Sequence, residues 1–355
     1  MIPQTQLPLV SSYAKRVSDP SIGSIRSGEE SSDTPKVSSL LAALWAENYI
    51  SSLRTRDEVE QLRKTSSLTE AASKAGRLRT ASYLKHRLRL ASAQAWSATE
   101  TLLAEEVHRH GLTCDSINPW QISADSHLLF EKALQAYSEG ITPRRFSIVA
   151  GKDLGLVRCK YTEEDPRVIG FVSMQFHYTG QILLESVSQP ERLLLEPYLK
   201  VMDDHLYMPL RSAYQAAAAY DYDSPVLEAV RSLLPVSSRV AKEVYQKICQ
   251  QYPGYQSHTG LLTSQKVKLS SIRDVEMFQV YLCLCVLEDD MRSVQHELFP
   301  LCVMLYPRLQ VRWTLVQDLL TLLAWEMHSR LPDRHVAVFL PYLKVLIEMF
   351  AVELL

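Results

Sequence analysis

Apolar residues recur at helical spacing in the first part of the chain that has a clear pattern. Leu40, Leu41, Leu44, Trp45 and Tyr49 are spaced so that they lie on one face of an α-helix. Residues 1–37, which precede most of this pattern, are rich in Ser, Pro and charge and show no such period. We therefore predict a disordered tail over 1–37 and a helical region over 38–140.

The middle of the chain has a different pattern. Residues 146–187 contain many β-branched and aromatic side chains, and the turn-like sequence EEDPR divides them into two runs. Val172, Met174, Phe176 and Tyr178 recur at every second position, which is typical of a strand. We predict a small β segment over 141–190, a hairpin or small sheet, with His177 as a cross-strand neighbour.

Helical patterns return from Glu191 onward. Ser224 precedes Pro225, an arrangement preferred at a helix start. Val240, Val244 and Ile248 form a stripe, and residues 271–288 become almost wholly apolar toward their end, which predicts a central helix. The chain is therefore predicted to be mainly α, with a compact helical domain over 191–355.

Composition supports a globular protein and excludes some functions. The 355 residues are 46% hydrophobic and 22% charged, with a net charge of -2, so the chain as a whole is not a general polyanion binder. Six scattered cysteines are typical of reduced thiols in the cytosol. The sequence shows no secretory signal and no uninterrupted membrane span, so we expect a cytoplasmic protein.

Basic residues are concentrated within residues 53–90. Arg77, Arg79, Lys85 and Arg87 are the predicted partner-binding residues of this region, for an acidic protein or a membrane surface. The alternative is a solvated helix face. Tyr83 is the single aromatic residue in the basic stretch, so nucleic acid is not an expected partner.

Sequence signatures of enzymes are absent. The chain has no P-loop, no G-x-G-x-x-G, no G-x-S-x-G, no H-x-x-x-H and no C-x-x-C. Asp203, Asp204 and His205 are adjacent, so on a helix they would not converge, and we predict a solvated face. Cys283 and Cys285 are predicted to be small core residues. We therefore expect no catalytic and no metal site.

One constellation resembles a known family. The run VAKEVYQKICQQYPGY is followed by a polar loop and then by SSIRDVEMFQVYLCLCVLEDD. This order is similar to the phycobiliproteins, the globin-like helical subunits of cyanobacterial light-harvesting antennae, over residues 224–330. The family's C-x-R-D motif corresponds here to Ser271-Ile272-Arg273-Asp274. The resemblance implies that Arg273 would pair with a bilin propionate and that Asp274 would accept hydrogen bonds from pyrrole nitrogens.

The chain also departs from that family. Ser271 stands where the family has its thioether-forming cysteine, and Met277 and Phe278 replace paired tyrosines. Covalent bilin attachment is therefore not expected. The alternative interpretation of Arg273 and Asp274 is a salt bridge at the start of a helix in an unrelated helical domain.

The resemblance implies a globin-like C-terminal domain in which residues 224–251, 271–288 and 313–330 form crossing helices. It also implies a non-pigmented binding or regulatory protein, with no resident cofactor, that acts in antenna or photosynthetic complex assembly. Its partner would be a protein of the antenna or photosystem, and its location the cytoplasm or the periphery of the thylakoid membrane. Three alternatives remain open: a carrier or sensor that binds a bilin non-covalently, a helical adaptor unrelated to antennae, and an enzyme acting on such pigments.

Overall fold

The computed structural model describes residues 37–46, 48, 66–113 and 116–351, and most of these residues are helical. The predicted disordered tail lies outside the described residues, except for Val37. The helices are α1 Val37–Ala46, α2 Ser66–Ala72, α3 Lys74–Arg109, α4 Pro119–Ser138, α5 Pro143–Thr162, α6 Ile169–Glu185, α7 Gln189–Tyr207, α8 Leu210–Ala217, α9 Pro225–Leu233, α10 Ser237–Gln251, α11 Gln265–Glu288, α12 Phe299–Arg308, α13 Trp313–Arg330 and α14 Asp333–Ala351. The mainly α prediction is confirmed for these residues.

Helix α3 is the longest described element. Its 36 residues span about 54 Å at 1.5 Å per residue. Ser73 caps its start by accepting a hydrogen bond from the Gly76 amide at 3.0 Å. Gly111 follows its end with a φ of 62°, a left-handed conformation that favours glycine. The buried face of α3 packs against α4 and α6, so this helix organises the N-terminal half.

The predicted β segment over 141–190 is wrong, because α5 and α6 occupy most of it. Glycines within these helices allow close helix packing. A Cβ at Gly155 would lie 2.6 Å from the Cβ of Arg211 on α8, and a Cβ at Gly170 would lie 2.9 Å from the Cε of Met304 on α12. Tertiary packing thus overrides a composition that favours strands.

A small antiparallel hairpin does exist, but it lies elsewhere. Strand β1 Gln256–Ser257 pairs with β2 Gly260–Leu261, and Gln256 is opposite Leu261. This hairpin lies in the polar connection between α10 and α11. It is held at its base by the Leu262 amide, which donates to the Tyr255 carbonyl at 2.9 Å.

The C-terminal helices follow the sequence pattern more closely. Helix α9 begins at Pro225 after its N-cap residue Ser224, as predicted, although the Ser224 side chain makes no capping hydrogen bond. Helix α10 packs against α11 and α13. Helix α11 is buried continuously over residues 275–287, which confirms its predicted central position.

Buried residues from Leu41 on α1 to Phe350 on α14 form one continuous hydrophobic cluster. The crossing arrangement expected of a globin-like domain stays a prediction. Within the described residues, no helix combines the length and apolar character that crossing a membrane requires.

Candidate functional site

The two residues singled out in the sequence lie within α11. This helix begins at Gln265, where the Ser264 side chain accepts a hydrogen bond from the Val267 amide at 3.4 Å. Arg273 and Asp274 are therefore in its third turn, and the prediction that they lie at a helix start is wrong. Their side chains face α7, which passes beside this part of α11.

Arg273 has several partners, but none is close. Its Nη1 lies 3.5 Å from Oδ2 of Asp203, and its Nη2 lies 3.9 Å from Oδ1 of Asp274. The guanidinium carbon stands 4.2 Å from the centre of the Tyr207 ring, a cation–π contact. Nε of Arg273 is buried and has no hydrogen-bond partner among the described residues, and the same holds for Oδ1 of Asp274. The pair therefore has an unused donor and an unused acceptor.

A second ion pair lies beside the first. Lys200 on α7 is 2.9 Å from Oδ2 of Asp204 and 3.0 Å from Oε2 of Glu276 on α11. Both carboxylates are almost fully buried. Ser238 on α10 donates to the other Glu276 oxygen at 2.6 Å. We use the name buried charge cluster for the residues Lys200, Asp203, Asp204, Arg273, Asp274 and Glu276.

The cluster contains more carboxylates than permanent cations: four acidic residues accompany Lys200 and Arg273. Burial raises the pKa of Asp204 to about 7, although Lys200 opposes the shift. Burial likewise raises the pKa of Asp274 to about 6, against the charge of Arg273. Burial alone would lower the pKa of Lys200, but Asp204 and Glu276 raise it. Asp204, and to a smaller extent Asp274, therefore carry protons near neutral pH.

The other residues discussed in the sequence are placed differently from the prediction. His177 lies on α6, where it shares a hydrogen bond of 2.7 Å with Gln181 and lies 3.5 Å from Asp203. It is not a cross-strand neighbour. Asp204 and His205 are buried, so the predicted solvated face is also wrong. Burial lowers the pKa of His205 to about 4, which keeps this imidazole neutral.

Two adjoining cavities open against the cluster. The larger, about 340 Å³, lies between α4, α6, α7 and α11. Its apolar lining residues are Phe130, Phe176, Leu184, Leu199, Leu269 and Ile272. The smaller, about 90 Å³, is lined by Ser271, Arg273 and Asp274 among others. The residues that line both cavities are His177, Gln181, Lys266, Ser270 and Arg273. Two mainly apolar cavities thus meet at Arg273, and the charged side chains of the cluster border both.

The four predicted partner-binding cations do not form one group. Arg77 donates to the Tyr137 carbonyl at 3.3 Å and stands 4.9 Å from the centre of the Tyr137 ring, so it is engaged within the fold. Arg79 pairs with Glu70 at 3.0 Å. Lys85 and Arg87 are exposed, and Arg87 lies 5.3 Å from the Tyr83 ring. Lys85 and Arg87 are thus the more accessible of the four for an external partner.

The cysteines are free thiols wherever they are described. Cys283 and Cys285 are buried, as predicted for core residues, and Cys302 is buried as well, whereas Cys159 is exposed. Burial raises the pKa of Cys285 to about 11, so it is a protonated thiol at neutral pH. Among the described residues, no three His, Cys, Asp or Glu side chains are arranged to hold a metal ion.

Comparison with protein-family models, curated proteins and solved structures found no match for this chain. The resemblance to phycobiliproteins therefore stays a prediction based on the quoted motifs. The cluster residues contributed by α7 were not identified from the sequence as a site. Their four-residue spacing is a sequence signal for Lys200 and Asp204. A separate signal exists for Glu276 on α11, a glutamate at the start of an apolar run.

Proposed function

We propose that this chain is a ligand-binding protein whose larger cavity takes an amphipathic small molecule. The ligand would have an apolar body and a polar group that both donates and accepts hydrogen bonds. One observation carries the proposal: the unused donor belongs to Arg273, which lines the larger cavity, and the unused acceptor belongs to the adjacent Asp274, which lines the smaller cavity that adjoins it.

The energetic argument concerns those two atoms. A buried polar group without a partner costs about 1–3 kcal/mol, more if it is charged. Both atoms are buried, so the two side chains would turn toward the cavity when a ligand enters it. A ligand that then accepts from Nε of Arg273 and donates to Oδ1 of Asp274 would remove both penalties.

Cavity size and lining restrict the ligand class. A volume of about 340 Å³ is near the lower end of the roughly 300–1,000 Å³ typical of small-molecule pockets. Phe130 and Phe176, whose ring centres are 5.6 Å apart, both line the cavity and give it an aromatic surface. Carboxamides and lactams with an unsaturated or aliphatic body meet both requirements, whereas a carboxylic acid meets them only in its protonated form.

A linear tetrapyrrole belongs to this class, because it carries lactam, pyrrole N–H and propionate groups on a conjugated body. A non-covalent bilin carrier or sensor is therefore the version of the proposal that the sequence resemblance favours. The role in antenna assembly rests on the sequence motifs alone and stays a prediction.

The test uses defined probes and variants of the cavity. Biliverdin, a long-chain fatty acid and its primary amide would be titrated into the purified full chain, with absorbance or calorimetry as readout. Gly180 lies on the cavity wall, where an added Cβ would contact Leu199 at an ordinary 3.5 Å. Gly180→Leu should therefore fill the cavity, whereas Gly180→Ala should leave it open.

We expect saturable binding of at least one probe, weakened at least tenfold by Gly180→Leu and by Arg273→Met and unchanged by Gly180→Ala. Circular dichroism would verify that each variant is folded. Failure of all three probes to saturate, or equal affinity in all variants, would overturn the proposal.

A further inference from the structure

An exposed aromatic groove lies between α3 and α4. Trp120, at the start of α4, is 86% exposed, which is unusual for so large an apolar side chain. Trp96 and Leu128 lie beside it along a groove of about 740 Å³. We use the name α3–α4 groove for the surface formed by Arg89, Ala93, Trp96, Trp120, His127 and Leu128.

A basic stripe continues from this groove along α3. Lys85, His86 and Arg89 are exposed and precede Ala93 and Trp96 at spacings of three and four residues, so they share one helix face. The sequence has no acidic residue from Ala71 to Thr99. The stripe therefore carries uncompensated positive charge from α3 itself.

The acidic residues of neighbouring elements compensate little of this charge. Glu131 on α4 lines the groove and lies 3.6 Å from His127. Glu70 on α2 is paired with Arg79 at 3.0 Å. Lys85 and Arg89 have no ion-pair partner within the described residues. The surface thus combines apolar anchors with free cations.

We propose that the α3–α4 groove binds an acidic amphipathic helix of another protein. Apolar side chains of that helix would seat against Trp96, Trp120 and Leu128, and its carboxylates would face Lys85 and Arg89. Helix-in-groove recognition uses anchors spaced at i, i+3, i+4 and i+7. Lys85 to Trp96 spans eleven positions, about 16 Å or three helical turns, which suits such a ligand.

The shape of the surface favours a protein helix over an anionic membrane. Tryptophan and basic residues also occur at membrane surfaces, but there they project from a convex or flat face. Here Trp96 and Trp120 line a shallow groove between two helices. The positive charge calls for an acidic partner, and a groove between two helices favours a helix as that partner over a flat membrane surface.

The test begins with selection of peptides against the immobilised full chain. A displayed library of random peptides about four helical turns long should yield sequences enriched in Asp and Glu, with Leu, Phe or Trp three to four positions apart. A labelled selected peptide would then be measured by fluorescence anisotropy. Trp120→Ser and Arg89→Glu should each weaken its binding at least tenfold.

Trp325→Ser provides the matched control, because Trp325 is also exposed but lies on α13. This variant should bind the peptide with unchanged affinity. Raising the salt concentration from about 0.05 M to 0.3 M should weaken binding to the wild-type chain, since exposed charges are screened over shorter distances. Probe binding in the larger cavity should be the same in the Trp120 variant, which separates this proposal from the ligand-binding proposal.

Three results would overturn the inference. Selected peptides could lack an acidic bias, or they could bind Trp120→Ser and Arg89→Glu as tightly as the wild-type chain. The third result is that no peptide is selected, while the chain binds vesicles of phosphatidylglycerol and phosphatidylcholine and Trp120→Ser does not. That result would identify a membrane-binding surface instead.

Discussion

Arg158 and Tyr281 are 123 residues apart in the chain, yet the guanidinium of Arg158 donates a hydrogen bond to the phenolic oxygen of Tyr281 at 2.9 Å. Tyr281 donates in turn to Oε1 of Glu297 at 2.6 Å, and Arg158 also contacts Glu297 directly. Glu297 belongs to a single π-helical turn, Val294–Leu298, that leads into α12. This buried network links α5 to α11 and to the π-helical turn.

Breaking this network from the Arg158 side should destabilise the fold. Arg158→Met leaves Glu297 without its cation in a largely buried position, and we expect a loss of about 3–5 kcal/mol in the free energy of unfolding. The double variant Arg158→Met, Glu297→Leu removes both charges and should recover much of that loss. Urea denaturation measures both effects, with Lys152→Met at an exposed position of α5 as the control. A double variant no more stable than the single one would contradict the explanation.

Two glycine substitutions should have opposite effects. Alanine is more favourable than glycine inside a helix by about 1 kcal/mol. Helix propensity alone would therefore stabilise both Gly155→Ala and Gly180→Ala. At Gly155 the new Cβ meets the Cβ of Arg211 at 2.6 Å, whereas at Gly180 its nearest neighbour is at 3.5 Å. We expect Gly155→Ala to destabilise the chain by roughly 1–3 kcal/mol and Gly180→Ala to stabilise it slightly. Thermal unfolding of the two variants tests this, and shifts of the same sign would refute it.

The pH dependence of stability should change in Asp274→Asn. The folded pKa of Asp274, about 6, lies above its ordinary value of 3.8. Between these values the folded chain binds more protons than the unfolded chain, so this residue's contribution to stability decreases as the pH rises through the window. Above pH 6 we expect Asp274→Asn to be more stable than the wild type by roughly 2–3 kcal/mol. Below about pH 4 the difference should vanish.

Urea denaturation across this pH range provides the measurement, and Glu164→Gln at an exposed position is the control. In Asp274→Asn the free energy of unfolding still depends on pH through Asp204, whose pKa is about 7. If the free energy of unfolding had the same pH dependence in Asp274→Asn as in the wild type, the Asp274 carboxyl of the wild type would titrate normally.

The aromatic contacts of α14 should contribute strongly to stability. Phe350 is buried, with its ring centre 5.0 Å from that of Trp313 and 5.1 Å from that of Phe299. Phe350→Ala removes these contacts and creates a cavity, so we expect a loss of about 3–5 kcal/mol. Leu340→Ala on the exposed face of the same helix should change stability by less than about 0.5 kcal/mol. Comparable losses in the two variants would contradict the packing described for α14.

The basic residues of α3 should separate into structural and surface groups. Arg77→Ala removes the contacts with Tyr137, and we expect a loss of about 1 kcal/mol. Lys85→Ala should stay within about 0.5 kcal/mol of the wild type. Chemical denaturation distinguishes the two, and an equal loss in Lys85→Ala would mean that Lys85 also has a structural role.

Helical segments with one apolar face could be predicted from the sequence, and α6 could not. Val240, Val244 and Ile248 mark one buried stripe of α10, so their period is visible. Residues 168–176 are all buried, because α3, α4 and α7 surround α6. A helix that is buried on all sides has no polar face to reveal its period, and its β-branched and aromatic composition then favours a strand.

The candidate site could be predicted only in part for a related reason. Arg273 and Asp274 were found through a short motif on one helix. Their partners Asp203 and Tyr207 come from α7, about 70 positions earlier in the chain, and that pairing depends on how α7 packs against α11. The exposed position of Trp120 likewise depends on the start of α4, and no local pattern indicates it.

The excess of carboxylates in the buried charge cluster would couple binding of the proposed ligand to proton release. Near neutral pH part of the charge on Asp204 and Asp274 is cancelled by bound protons. A ligand that donates a cationic or N–H group to these oxygens favours their ionised form, so protons leave as it enters. Calorimetric binding enthalpies would then differ between buffers of different ionisation enthalpy, and affinity would rise with pH between about 6 and 7. A molecule with only an anionic head group would show the opposite trend, so the sign of the proton exchange identifies the polar chemistry of the ligand.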